Sequence, residues 1–102
     1  MDFNKLMQQA QEMQQQMGRI EEELQNTEYT GSAGGDGVTV KVSGGLEVLE
    51  VNIDEELLEK DNREMLQDMI LIAVNDALEQ ASQDREDKLG VMTQGMNIPG
   101  IM

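Results

Sequence analysis

The chain has 102 residues and a mass of 11.4 kDa, the size of one small domain, and its only aromatic side chains are Phe3 and Tyr29. It contains no cysteine and no histidine, which excludes disulfides, thiolate metal sites, the commonest general base and the commonest transition-metal ligand. Twenty-one acidic residues against 7 basic ones give a formal net charge of -14, a balance that by itself argues against a polyanionic partner.

Over residues 3–24 the apolar positions are Phe3, Leu6, Ala10, Met13, Met17, Ile20 and Leu24. Alternating steps of three and four make a heptad seam, which predicts one long helix, about 33 Å at ~1.5 Å per residue. Gln8, Gln9, Gln11, Gln14, Gln15 and Gln16 and then Glu21, Glu22 and Glu23 fill the rest, so the rod is polar on all but one stripe. Gly18 falls on the outer face, where it costs about 1 kcal/mol relative to alanine. A seam of Phe3, Leu6, Met13, Met17, Ile20 and Leu24 has to pack against a second helix or another copy of itself. Because a sheet of three strands is too small to shelter two long helices, a homodimer is expected.

Between residues 26 and 37 threonine, serine and glycine replace the helix formers, predicting an extended segment around Tyr29 and then a turn. The cluster Gly31, Gly34, Gly35 and Gly37 precedes a strand and lacks a following Lys-Ser/Thr, so it reads as a turn rather than a phosphate loop. Val38, Val40 and Val42 alternate with polar residues, as do Leu49, Val51 and Ile53, with a two-residue turn candidate at Gly44-Gly45 between them. This is a β-hairpin pattern. Val48 breaks the alternation, which calls for a bulge at the start of the second strand or for partial cover on both of its faces.

Residues 54–58 read as a single turn, and Asp61 with Glu64 as a capping box for a second long helix. Its apolar residues, from Met65 to Ala81, surround the helix axis and predict burial on two sides. After Ala81 the helix becomes polar, Gly90 is the expected C-cap, and the tail holds the one proline in Asn97-Ile98-Pro99-Gly100. Met13, Met17, Met65 and Met69 sit at apolar helical positions, where methionine fills gaps in a core. The acids Asp54, Glu55, Glu56, Asp84, Glu86 and Asp87 have no EF-hand spacing and read as solvated faces rather than metal ligands. No apolar run approaches the ~18 residues of a membrane span. Residues 1–16 have no basic segment leading into an apolar one, so a soluble, intracellular protein is expected.

Basic residues on the helices are few. Lys5 and Arg19 lie two heptads apart on one outer stripe of the first helix, with Glu12 between them, and Arg85 and Lys88 lie on the second. These four suit phosphate contact or plain solubility equally, the latter through an Asp84–Lys88 pair one turn apart.

A long Gln/Met-rich helix is followed by Gly31-Ser32-Ala33-Gly34-Gly35-Asp36-Gly37-Val38-Thr39-Val40 and Val51-Asn52-Ile53-Asp54. Then come Met65-Leu66-Gln67-Asp68, Ala73-Val74-Asn75-Asp76-Ala77 and Met96-Asn97-Ile98-Pro99-Gly100. In this order and spacing, over essentially the whole chain, the sequence resembles the YbaB/EbfC family of bacterial nucleoid-associated proteins. The resemblance implies an α+β fold with a long N-terminal helix, a small antiparallel sheet of about three strands and a long C-terminal helix. It also implies an intertwined homodimer whose projecting helical arms grip duplex DNA. The expected divisions of this single domain, 1–102, are a helical arm over 1–26, a sheet over 27–54, a helical region over 55–90 and a tail over 91–102. No enzymatic activity, cofactor, metal, membrane contact or small-molecule substrate is implied. The expected setting is the bacterial cytoplasm and nucleoid, with effects on nucleoid organisation or gene expression.

Where family members place lysines along the first and last helices, this chain has glutamines and acids, and only Lys5, Arg19, Arg85 and Lys88 carry over as DNA contacts. A dimer at -28, twice the -14 of one chain, meets a polyanion that proteins bind by releasing counterions with Lys and Arg. The expectation is therefore weak, salt-sensitive and sequence-tolerant binding, with Gln8, Gln11 and Gln15 as the residues able to pair with adenine. The competing expectation is an acidic dimeric protein-interaction module with little or no DNA affinity.

Overall fold

The computed structural model describes residues 2–94, with side chains through Gly90, so the Asn97-Ile98-Pro99-Gly100 motif lies outside the described residues. In chain order the elements are α1 (Phe3–Gln25), β1 (Glu28–Ala33), β2 (Val38–Ser43), β3 (Val48–Ile53) and α2 (Arg63–Gln94). Two short 3-10 turns, Glu55–Leu57 and Lys60–Asn62, join β3 to α2. The three strands form one antiparallel sheet in the order β1-β2-β3. This is the α+β arrangement expected from the sequence.

At its start α1 is capped by Asp2, whose carboxylate accepts the Asn4 N–H at 3.1 Å. At its end the side chains of Asn26 and Thr27 donate to the carbonyls of Glu22 and Glu23, at 3.0 and 2.7 Å. The Gly44 N–H adds a bond to the Leu24 carbonyl at 2.8 Å, which ties the helix to the end of β2. A Cβ at position 44 would stand 2.4 Å from that same oxygen. Glycine is therefore needed there for close approach.

The turn itself differs from the expected two-residue form. The Leu46 N–H bonds to the Ser43 carbonyl and the Ser43 N–H to the Glu47 carbonyl, both at 2.9 Å, and Leu46 has φ of 67°. Gly44, Gly45 and Leu46 thus form a three-residue loop whose left-handed position is taken by leucine. A register shift follows, with Lys41 opposite Glu50 and Val42 opposite Val48, which leaves Leu49 as the bulged residue. The break in alternation at Val48 is that bulge. Between β1 and β2, Gly34, Gly35 and Asp36 have φ of 62°, 61° and 72°, a turn as expected.

The core lies between the sheet and α2. Val38, Val40 and Val42 of β2 and Ala73, Ala77 and Ala81 of α2 are all fully buried. Each buried valine contributes roughly 1.5–3 kcal/mol. Alanines one turn apart make a narrow ridge, and Gly31 of β1 receives it: a Cβ there would lie 2.2 Å from the Ala73 carbonyl oxygen and 2.5 Å from the Ala77 nitrogen. The helix sits directly on the strand backbone. Beyond that contact, α2 side chains hydrogen-bond to β1. Asp76 accepts the Ser32 N–H at 3.2 Å, and the Gln80 amide donates to the Thr30 carbonyl at 2.9 Å.

Three expectations about α2 change. Asp61 lies within the 3-10 turn Lys60–Asn62, and the α-helix starts only at Arg63. Gly90 is not a C-cap, since α2 continues through it to Gln94: glycine permits a left-handed stop but does not force one. Burial on two sides is not met within one protomer, where Met65, Leu71 and Ile72 are exposed. On β3, Val48 and Val51 share the face of Val42 and Val40 by register, yet they too are exposed.

Candidate nucleic-acid interface

The arm is built at one end of the sheet. The chain of α1 arrives there through Leu24, which is fully buried, while α2 leaves from the same end after Ala81. Arg85 locks the two helices by pairing with Glu21 of α1 and by donating to the Gly44 carbonyl at 3.3 Å. The protomer is elongated, 69 Å long and 29 Å wide.

Of the expected seam, Leu24 is buried and Ile20 and Met13 are half-buried, whereas Phe3, Leu6 and Met17 are exposed at 71%, 47% and 44%. Met17 therefore does not fill a core within the protomer. The inner part of the seam holds α1 to the body, and in the outer part Phe3, Leu6 and Met17 stay exposed while Met13 is half-covered.

The four expected cations separate in the same way. Lys5 and Arg19 are exposed on α1 and have no ion pair among the described residues. Arg85 is held by Glu21 and Gly44, and Lys88 pairs with Asp84 at 3.1 Å, the one-turn pair that the spacing allowed. Asp84 also accepts a hydrogen bond from the Tyr29 hydroxyl. Burial, reinforced by the Asp84 carboxylate, pushes the Tyr29 hydroxyl up to about 12. The hydrogen bond from Tyr29 and then that from Lys88 hold Asp84 below the usual carboxylate range. Lys88 and Arg85 thus belong to a polar junction between the arm and the body.

Next to that junction an open groove of about 560 Å³ runs along α2, lined by Asp76, Glu79, Gln80, Gln83, Asp84 and Asp87 and by Tyr29 of β1. Its carboxylates repel phosphate, so this groove does not suit a polyanion. Two further cations escaped the sequence reading because it looked only along helical arms. Lys60 and Arg63 are exposed at the start of α2 and have no ion pair among the described residues, although Glu59, Asp61 and Glu64 surround them in sequence. Lys41 pairs with Glu50 across the strands at 3.6 Å. Among the described residues no group of acids is placed to hold a metal ion, and no helix is long and apolar enough to cross a membrane.

A sequence model described as the YbaB/EbfC DNA-binding family matches residues 1–96. A nucleoid-associated protein of Clostridium novyi is 46% identical over 101 residues, covering 99% of this chain and 89% of its own length. One of Desulfotalea psychrophila is 45% identical over 101 residues, with 99% and 95% covered. The crystal structure of an uncharacterized protein from Helicobacter pylori superposes with a TM-score of 0.83 at 28% identity, covering 91% of this chain and 98% of that one.

Proposed function

The chain belongs to the YbaB/EbfC DNA-binding family, and from that premise we propose that it acts as a homodimeric nucleoid-associated protein that binds duplex DNA with little sequence preference. The observation that carries this reading is the projecting arm with Lys5 and Arg19 free on its surface. The homodimer is supported by the apolar face beside β3, where Val48 and Val51 are 46% and 44% exposed, and by Ile72 at 57%. A monomer rarely leaves such a contiguous face in water. Phosphate contacts come first from Lys5 and Arg19, with Arg85 and Lys88 at the base of the arm contributing only where they leave Glu21 and Asp84. The biological consequence of such binding is on nucleoid organisation or gene expression in the bacterial cytoplasm.

Fluorescence anisotropy of a random duplex against ionic strength tests this. The four free arm cations of a dimer, Lys5 and Arg19 of each chain, set a slope of log K against log salt of about -4, whereas adding Arg85 and Lys88 of each chain would set about -7. Binding without any salt dependence overturns the reading. A second reading, an acidic dimeric protein-interaction module, is favoured by one observation: half of the expected contact residues are already paired with carboxylates. No detectable binding even at low salt selects it.

A further inference from the structure

Of the candidate contacts Lys5, Arg19, Arg85 and Lys88, only Lys5 and Arg19 have no ion pair among the described residues. We propose that Glu21 is an internal stand-in for DNA phosphate: seated on the Arg85 guanidinium, it keeps this residue out of the contact with a duplex and so limits the affinity of the protein. The inference rests on the proposed DNA binding and deepens it.

The chemistry of the pair is the first argument. A guanidinium recognises carboxylate and phosphate through the same planar fork of N–H donors, so the Glu21 carboxylate sits where phosphate oxygens would sit. One terminal nitrogen of Arg85 donates to Glu21 and the other to the Gly44 carbonyl at 3.3 Å. The second bond keeps the head in place when the first is removed. Partnership is the second argument. Lys88 is held by Asp84, which the Tyr29 hydroxyl also engages, so that pair is tied to the body. Glu21 has Arg85 as its one side-chain partner among the described residues. The side chains of Arg85 and Glu21 are 29% and 37% exposed, and a pair that open adds little to stability, so its effect falls on what else Arg85 can bind.

Access is the third argument. The groove that holds Asp76, Glu79, Asp84 and Asp87 repels a polyanion by its charge. Ser82, Arg85, Glu86, Leu89 and Gly90 line a separate open cleft of about 360 Å³ on α2. One guanidinium and one carboxylate balance there, so a phosphate approaching Arg85 through this cleft meets no net local charge.

Anisotropy of a random duplex with the whole chain tests this. Glu21→Gln frees two guanidiniums per dimer and should steepen the slope of log K against log salt by about 2. Its affinity should then fall about tenfold more than that of the native chain between roughly 50 and 200 mM salt. Glu21→Ala, which removes the acceptor altogether, should behave alike, and both variants should keep a Tm close to the native value. Glu22→Gln is the same loss of charge one residue away, at a side chain with no ion pair among the described residues, and should change the slope much less. In an Arg85→Gln background, Glu21→Gln should do no more than Glu22→Gln. A slope unmoved by Glu21→Gln, or a steepening that survives in the Arg85→Gln background, overturns the inference and leaves the DNA-binding reading standing. No binding by the native chain or any variant at low salt removes that reading as well.

Discussion

Body and arm are made from the same helices but obey different constraints. In the body α2 lies so close to the sheet that backbone meets backbone at Gly31, and the core is three valines against three alanines with no space between them. In the arm α1 buries Leu24 alone and leaves Phe3, Leu6 and Met17 to solvent. Residue identity is dictated by shape in the first region and by charge and partners in the second. The body is set by its own close packing, and the arm leaves apolar and basic side chains in solvent.

The sharpest way to break this contrast is to fill the space at position 31. Gly31→Val places a side chain on the Ala73 carbonyl and the Ala77 nitrogen, and we expect a loss of about 3 kcal/mol or more. In a domain of this size that is a fall in Tm of roughly 12 °C or more, read by thermal unfolding. Leu6→Ala, far out on the arm and 47% exposed, should change stability by under about 0.5 kcal/mol at low protein concentration. Comparable losses in the two variants would erase the distinction.

Their junction responds to pH. Tyr29 titrates near 10 when unfolded and at about 12 when folded, so the folded state binds more protons in that window. The stability it contributes is full below pH 10 and is lost as pH rises through about 12. Asp84 acts in the opposite sense: its depressed folded value gives stability above the usual carboxylate pKa that disappears as pH falls through the folded one. Tyr29→Phe should cost about 1 kcal/mol at neutral pH and remove the alkaline decline, as measured by urea unfolding at pH 8 and pH 11. An unchanged alkaline profile in that variant would assign the decline to another group.

Smaller effects separate the cations. Lys5→Gln with Arg19→Gln should flatten the salt slope of DNA binding by about 4 and leave Tm in place. Arg85→Gln should do the reverse, loosening the arm by freeing Glu21 and the Gly44 carbonyl with little change of slope. If the two sets behave alike, the division of cations into free and structural is wrong. The least effect is expected in a selection from random duplexes, which should enrich no single motif. Discrimination of about 1–3 kcal/mol per base pair would give Gln8, Gln11 and Gln15 a reading role.

The body was legible in the sequence because its signals are local. Alternating valines announced β2, glycines announced the first turn, and the phase break at Val48 marked the bulge at Leu49. What local pattern missed was long-range. Gly44 was read as a turn residue although its demand comes from Leu24, and Gly90 was read as a stop although the helix passes through it to Gln94. Of the candidate contacts, spacing foresaw the Lys88–Asp84 pair, since it lies on one helix. It offered nothing for Arg85 with Glu21, which are brought together across 64 residues of chain by the fold alone.

The bonds from Asp76 and Gln80 to β1 have a consequence in time. They join residues 44 and 50 positions apart, so β1 leaves the ribosome long before the side chains that complete its outer edge. At roughly 5–20 residues per second that interval is about 2–10 s. Throughout it the Ser32 N–H and Thr30 carbonyl are open to any other extended chain nearby, and an unpaired strand edge is a template for aggregation. The late synthesis of one helix turn is therefore the step that removes the nascent chain from this hazard.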